Sequence, residues 1–361
     1  MSRRGSGYRR DGNEPDKIRT MRAAMYHRNA DVRIVELPVP DIGPGELLVK
    51  VMASGICGSD IMEWYRIKKA PLVLGHEIAG IVVGTGADVD AYREGDRVFV
   101  SHHIPCNTCR YCLQGSHTAC ETLHSTNYDP GGFAEYLRVP RLNVDRGVFI
   151  LPAAVSFAAG AMIEPLACVI RGQRLARLRP GQSVLVLGSG IAGILHIMLA
   201  RATGAGRIMA TDISPYRRRQ AGVFGADAVA DARGDIPAWV REVNDGRLAD
   251  LVIVCAGAPA AFEQALHTVD RGGTILCFAT TEPGVHLSVP LNEFWRNEIK
   301  LMPSYGNSPL DAVAAIELIS LGRVPVERMI THRLPLTEAQ RGFQLVAAGK
   351  DALKVILLPH G

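Results

Sequence analysis

The stretch GQSVLVLGSGIAGILHIMLARATGAGRIMATD, from Gly181 to Asp212, leaves this chain little choice of fold. Its apolar run Val184 to Leu187 reads as a buried strand. Gly188, Gly190 and Gly193 follow as G-x-G-x-x-G and open an apolar helix beginning with Ile191 and Ala192. A second strand, RIMATD, ends at Asp212, 19 residues after Gly193. The glycines alone are a weak signal. Strand, glycines, helix, strand and terminal acid together are a strong signature of dinucleotide binding. The first glycine allows the tight turn, the second lets the backbone approach a pyrophosphate, and the third lets helix pack on strand. The helix N-terminus attracts the phosphate charge. Asp212 can accept hydrogen bonds from both ribose hydroxyls and would repel a 2′-phosphate, so NAD is preferred over NADP. Arg217, Arg218 and Arg219 in SPYRRRQ either pair with a phosphate or form a solvated helix face. ADLVIVCAG and GGTILCFAT read as further buried strands, separated by the helical pattern APAAFEQALHTVDR. Alternating strands and helices make a parallel sheet covered on both faces. Ala256 and Gly257, ending the first of these strands, join Arg217 as expected cofactor contacts. Cys255 and Cys277, inside the apolar runs, read as core residues, and so does Cys168 on a helix upstream.

The chain is 361 residues long and 47% hydrophobic, enough for two cores and hence two domains. Charged residues make up 21%, mixed in sign, with a net charge of +4, which argues against a nucleic-acid footprint and a membrane-surface helix. No apolar run reaches the ~18 residues of a membrane span. Residues 1–20 are basic and polar without an apolar core, so they read as a disordered extension and not a secretory signal. The expected compartment is the cytoplasm, where disulfides rarely persist.

That compartment bears on CNTCRYCLQGSHTAC, which holds four of the eight cysteines. Cys106, Cys109, Cys112 and Cys120 read C-x2-C-x2-C-x7-C. Short C-x2-C turns bring thiolates close enough to share one tetrahedral ion at about 2.3 Å each. Four thiolates leave no open position, so a structural zinc fits best, with an iron–sulfur cluster as runner-up. A nucleic-acid zinc ribbon shares the spacing but not the charge. His102, His103, His117 and His124 lie nearby and are expected on the surface, because the four cysteines complete the shell.

Two further segments hold isolated metal-ligand types. Cys57 lies in the glycine-rich turn of ASGICGSDIMEWY, and His76 and Glu77 follow the apolar run of PLVLGHEIAGIVVGTG. The short strands and glycine turns around them suggest a barrel-like all-β domain. Glu164, in MIEPLACVIRGQRL, precedes a proline at a helix start; it reads equally as a ligand or as an acid favoured by the helix dipole.

GICGSD, GHE, the four-cysteine lobe, IEPLA and GSGIAG, in this order, resemble the zinc-containing medium-chain dehydrogenases, in their sorbitol dehydrogenase-like branch. The resemblance runs from about residue 22 to the C-terminus. It implies an α/β chain with a GroES-like β-barrel catalytic domain over 21–165 (structural-zinc lobe 102–124), a Rossmann domain over 166–302 and a return to the catalytic domain over 303–361. By the same resemblance Cys57, His76, Glu77 and Glu164 hold a catalytic zinc, and Cys106, Cys109, Cys112 and Cys120 a structural one. Ser59 takes the substrate proton and Asp60 orients the histidine. The implied reaction is reversible hydride transfer from a secondary alcohol, a polyol or sugar alcohol, to NAD. L-Threonine-type amino alcohols and sugar-alcohol phosphates are alternative substrates, and a zinc-stabilised NAD-binding protein without turnover is the rival of a different class. A zinc-free enoyl or quinone reductase would lack both cysteine lobe and ligand set. A homo-oligomer is implied, tetramer favoured over dimer.

One position departs from the family pattern. Many members carry a proton-relay histidine five residues after the first zinc cysteine; here it is Met62. Glu63 or water would have to replace it. Trp64, Tyr65, Phe294, Trp295 and Arg296 either line a substrate pocket or are ordinary packing residues.

Overall fold

The computed structural model describes residues 20–361. The expected extension over residues 1–20 therefore lies outside the described residues, apart from Thr20. The first part of the chain supplies β1 (Thr20–Arg28), β2 (Asp31–Pro38), β3 (Leu47–Gly55), β4 (Leu72–Val73), β5 (Glu77–Thr85), β6 (Arg97–Val100), β7 (Tyr136–Val139) and β8 (Val148–Ile150). The middle supplies β9 (Val184–Leu187), β10 (Ile208–Asp212), β11 (Ala228–Asp231), β12 (Ala249–Val254), β13 (Val269–Cys277) and β14 (Lys300–Pro303). The last stretch adds β15 (Ile330–Pro335) and β16 (Lys354–Leu358).

β9 to β14 form one sheet in the order β11-β10-β9-β12-β13-β14, with every neighbouring pair parallel. All four residues of β9 are buried, as a strand covered by helices on both faces requires. Chain order reverses between β9 and β12, and open sheets of this kind bind ligands at such a switch point, beyond the carboxyl ends of the strands. The glycine turn lies there. A Cβ on Gly193 would stand 2.0 Å from the Gly188 carbonyl oxygen, so only glycine lets the helix Ile191–Ala202 start this close to β9.

The remaining strands make a seven-stranded sheet, ordered β15-β16-β3-β5-β6-β8 with β7 also on β3, and a three-stranded sheet β2-β1-β4. β16 pairs with β3, so the C-terminal stretch returns to the first sheet. The largest apolar cluster joins Ala79, Phe99 and Leu151 of this barrel-like part to Val186, Ile194 and Leu276 of the parallel-sheet part. The helix Ile163–Leu175 runs through that cluster and carries Glu164 in its first turn. Burial on this scale, at about 25 cal/mol per Å2 of apolar surface, holds the glycine turn and the barrel in a fixed relation. No helix among the described residues is long and apolar enough to cross a membrane.

Candidate active site

β3 and β5 pair antiparallel with Gly55 opposite Glu77. That register brings the turn after β3, with Cys57, beside the residues that start β5. One ligand atom each from Cys57, His76 and Glu77 lies within 4.8 Å of the other two. Gly55 makes the arrangement possible: a Cβ there would meet Glu77 Oε2 at 2.1 Å and Lys354 Nζ at 2.8 Å. In the space left by that missing side chain, Lys354 Nζ donates to Glu77 Oε2 and, at 3.0 Å, to the Ile56 carbonyl. Both side chains of the pair are fully buried. Glu77 Oε1 is buried without a partner, so one oxygen of the carboxylate remains for a ligand role.

Asp60 supports the group from the same turn. Its Oδ2 accepts from the Cys57 N–H at 3.0 Å, and its Oδ1 lies 3.4 Å from His76 Nδ1. The Ser59 N–H points at Cys57 Sγ at 3.4 Å. Burial pushes the His76 imidazole down, but the charges of Asp60 and Cys57 more than reverse this and hold it well above its ordinary value. Burial raises the Asp60 carboxyl, and His76 and Arg66 bring it below its ordinary value. Thiol, imidazole and an orphaned carboxylate oxygen are a donor set suited to zinc, with a second carboxylate behind the histidine.

Glu164 is buried close enough for His76 and Glu77 to act on its charge, but it stands outside the three-residue group. Its Oε1 accepts from Cys168 Sγ at 3.3 Å and from Asn307 Nδ2 at 3.2 Å. Cys168 is therefore no simple core residue: one helical turn after Glu164, it shares that residue's face. Burial and the neighbouring Glu164 charge push its thiol well up.

His102 and His103 were expected on the surface, and the structure corrects this. The rings of His76 and His102 are 4.9 Å apart, and those of His102 and His103 3.8 Å. β5 and β6 pair antiparallel with Ile78 opposite Val100, which carries the residues after β6 back to His76. Burial lowers both imidazoles, His103 to about 3. Tyr305 continues this wall, 6.5 Å from the His103 ring and stacked on His124, itself exposed, at 5.7 Å. His117 is half-buried.

FWRNEI is not part of this wall. Phe294 packs into the core of the parallel-sheet half, and Trp295 is 76% exposed. The Tyr305 hydroxyl is pushed up by burial first and then by the charges of Tyr65, Cys168 and Glu164. Met62 stands five residues after Cys57. Glu63 is exposed and accepts the Asn29 N–H at 2.9 Å.

In the cysteine lobe, Cys112 Sγ lies 3.9 Å from Cys106 Sγ and 3.6 Å from Cys109 Sγ, and all four sulfurs are within 4.8 Å of one another. Sulfurs placed tetrahedrally at about 2.3 Å from an ion stand about 3.8 Å apart, so these are metal-site spacings. All eight cysteines are free. The Thr108 hydroxyl, the Thr108 N–H and the Cys109 N–H point at Cys106 Sγ and bring its thiol down to about 5.

At the glycine turn, Asp212 Oδ2 accepts from the Ser189 N–H at 2.9 Å and Oδ1 from the Ser214 N–H at 2.7 Å. A cavity of about 360 Å3 opens beside it, lined by Asp212, Ser214, Arg217, Arg233, Gly349 and Lys350. Of the three consecutive arginines, Arg218 is bound to Asp231 and Arg219 is exposed, while Arg217 faces the cavity. Gly188 and Ala256 approach closely: a Cβ on Gly188 would be 3.0 Å from the Ala256 nitrogen. A second cavity, of about 490 Å3, follows the carboxyl ends of β13 and β14, lined by Cys277, Phe278, Thr280, Ser304 and Tyr305 among others. Cys255 and Cys277 pack at the edges of core clusters.

Arg66, Lys354 and Asn307 were not singled out from the sequence. Lys354 and Asn307 are 277 and 143 positions from the partners they touch, beyond any local signal. Arg66 is only 7 positions from Ser59, and its place at the end of a short helix could have been read.

Comparison with known proteins agrees with this architecture. The family model for the alcohol dehydrogenase GroES-like domain matches residues 43–146, and that for zinc-binding dehydrogenases matches residues 192–320. The chain is 31% identical to a sorbitol dehydrogenase of Bacillus subtilis (strain 168), over 94% of this chain and 98% of that one. It is 32% identical to an L-threonine 3-dehydrogenase of Bacillus velezensis, over 94% and 99%. A zinc-binding dehydrogenase of Sinorhizobium meliloti 1021, solved bound to NADP, superposes with a TM-score of 0.84 at 30% identity, covering 94% of this chain and all of that one. A GroES-like barrel joined to a Rossmann sheet, with relatives matched along nearly their full length, identifies the chain as an oxidoreductase of the zinc-dependent medium-chain dehydrogenase family, in its sorbitol dehydrogenase-like branch.

Proposed function

We propose that the chain oxidises a secondary alcohol, a polyol or sugar alcohol, reversibly to the ketone with NAD as hydride acceptor. The observation that carries this reading is the convergence of Cys57, His76 and an unpartnered oxygen of Glu77, with Glu164 beside them. Cys57, His76 and Glu77 would hold a catalytic zinc, with Glu164 beside it and a position left open for the substrate oxygen, and the four lobe cysteines a structural one, giving two ions per chain. When bound, the catalytic ion supplies Lewis acidity that lowers the pKa of the substrate hydroxyl.

The chain's own residues do the rest. Asp60 engages His76 Nδ1, which leaves Nε2 as the ligand atom. Ser59 Oγ accepts the proton of the substrate hydroxyl. His102 and His103 line the space beside His76, with Tyr305 against His103. The N-terminus of the helix Ile191–Ala202 would hold the pyrophosphate, with Ile191, Ala192, Ala256 and Gly257 as the contacts around the turn.

We assign NAD over NADP because Asp212 puts a carboxylate where a 2′-phosphate would go, although Arg217 faces the same cavity. Asp212→Ala should weaken NAD about tenfold, the loss of one or two charge-assisted hydrogen bonds, and narrow the gap to NADP. Initial rates with both cofactors check this; an unchanged NAD-to-NADP ratio contradicts the ribose role.

The protein is proposed to be cytoplasmic, where thiolate ligands stay reduced. It is proposed to form a homotetramer. The edge of β14, unpaired among the described residues, with Leu301 exposed on it, supports association of copies.

A screen of polyols, amino alcohols and sugar-alcohol phosphates with NAD and NADP, read by nicotinamide absorbance at alkaline pH, tests the reading. The fastest reduction is expected with a polyol and NAD. The L-threonine dehydrogenase relative makes amino alcohols the second class to try. No turnover with any secondary alcohol, in protein holding two zinc ions, would leave only a cofactor-binding role.

A further inference from the structure

We propose that Arg66 is a positioning residue for the proton step: it fixes the Ser59 hydroxyl so that its free lone pair meets the incoming proton. This rests on the role given to Ser59 above.

Arg66 ends the short helix Glu63–Arg66. Its Nε donates to the Ser59 carbonyl at 3.0 Å and its Nη2 to Ser59 Oγ at 3.1 Å. The same Nη2 lies 3.4 Å from Asp60 Oδ1, the atom that also lies 3.4 Å from His76 Nδ1. The guanidinium rests on the Tyr65 ring, 4.8 Å from its centroid. One planar fork therefore grips both the backbone and the side chain of a single serine, which a lysine's point charge cannot do. It also ties that serine to the carboxylate behind His76.

A serine hydroxyl has one donor and two lone pairs. Arg66 occupies one lone pair, so the other is left for the incoming proton, and the serine's own proton must point away from the guanidinium. The step then balances. The substrate O–H proton moves to Oγ, the serine proton leaves to water, and the C–H electron pair leaves as hydride to the nicotinamide. Arg66 gives up no proton. Its two hydrogen bonds to the one residue hold Oγ oriented before the protons change places. Met62, five residues after Cys57, carries no titratable group, so the serine proton passes to water.

Arg66→Met, Arg66→Lys, Ser59→Ala and the double variant Arg66→Met/Ser59→Ala test this as a cycle in the holoenzyme. Arg66→Met should lower kcat about 100-fold, the cost of misplacing a reacting group by about 1 Å. KM for NAD, NADH binding and zinc content should stay unchanged. The solvent deuterium isotope effect on kcat should rise, and added guanidinium should restore part of the rate. Arg66→Lys should recover only a fraction. The double variant should be no slower than Ser59→Ala alone. A kcat within about threefold of the parent, a double variant in which the two losses multiply, or a loss that tracks lost zinc or lost NADH binding would each overturn the proposal. If the methionine variant does not fold, Arg66→Lys carries the same isotope and guanidinium readouts. Full turnover in Ser59→Ala contradicts the underlying reading; a slow Ser59→Ala beside an unimpaired Arg66→Met contradicts the inference alone.

Discussion

Cys57→Ser is expected to abolish turnover while leaving NAD binding intact. The thiol sits at the centre of the candidate site, within 4.8 Å of ligand atoms on His76 and Glu77. A serine hydroxyl at that position is a far poorer zinc ligand, and the ion's contribution to the transition state is worth several kcal/mol. At about 1.4 kcal/mol per decade, kcat should fall by roughly 1,000-fold or more. The cofactor turn is built from other residues: Gly188, Gly193 and Asp212 make their contacts among themselves and with Ser189, Ser214 and Ala256. NADH fluorescence titration should therefore give an unchanged affinity, and zinc content should drop by one ion per chain. Full activity in this variant would end the metal assignment.

The second large effect is expected in the cysteine lobe. Its buried cluster consists of Cys112, Cys120 and Leu123, with Cys106 and Cys109 packed against it. Leu123 is thus the one aliphatic side chain there, so the sulfurs and the ion they would share are themselves the core. Cys120→Ser removes a buried ligand, and what remains cannot bury enough surface to stay folded. A loss of roughly 4 kcal/mol, at about 2–4 °C per kcal/mol, predicts a melting temperature lower by on the order of 10 °C. Trypsin should then cut at Arg110, an exposed residue inside the lobe. A variant with parental melting temperature and protease resistance would show that the lobe stands without its metal.

The features legible in the sequence were those whose chemistry is local. The glycine turn spans a few residues between a strand and a helix, and its spacing carries its geometry. The four cysteines lie within fifteen positions, and their spacing alone implies a shared ion. The candidate catalytic group is different. Cys57 and Glu77 meet because Gly55 pairs with Glu77 in a particular register, and a one-residue slip would turn Glu77 to the other face. Family resemblance, not spacing, singled out that group. His102 was misread for a related reason: the antiparallel return of β6 beside β5, invisible in composition, lays its ring on His76. Phe294 and Trp295 drew attention as aromatics, yet the helix Leu291–Arg296 turns the first into the core and the second to solvent. Lys354 heads an apolar strand and looks like an ordinary surface charge; it is buried only because Gly55 leaves it room beside Glu77.

The most direct measurement is a crystal structure of the NADH complex with anomalous differences collected at the zinc edge. The account predicts two peaks per chain. One should lie among Cys106, Cys109, Cys112 and Cys120, and the other at about 2.3 Å from Cys57 Sγ, with His76 and a carboxylate around it and the nicotinamide ring adjacent. A single peak in the cysteine lobe, with Cys57 free and the nicotinamide far from it, would contradict the account.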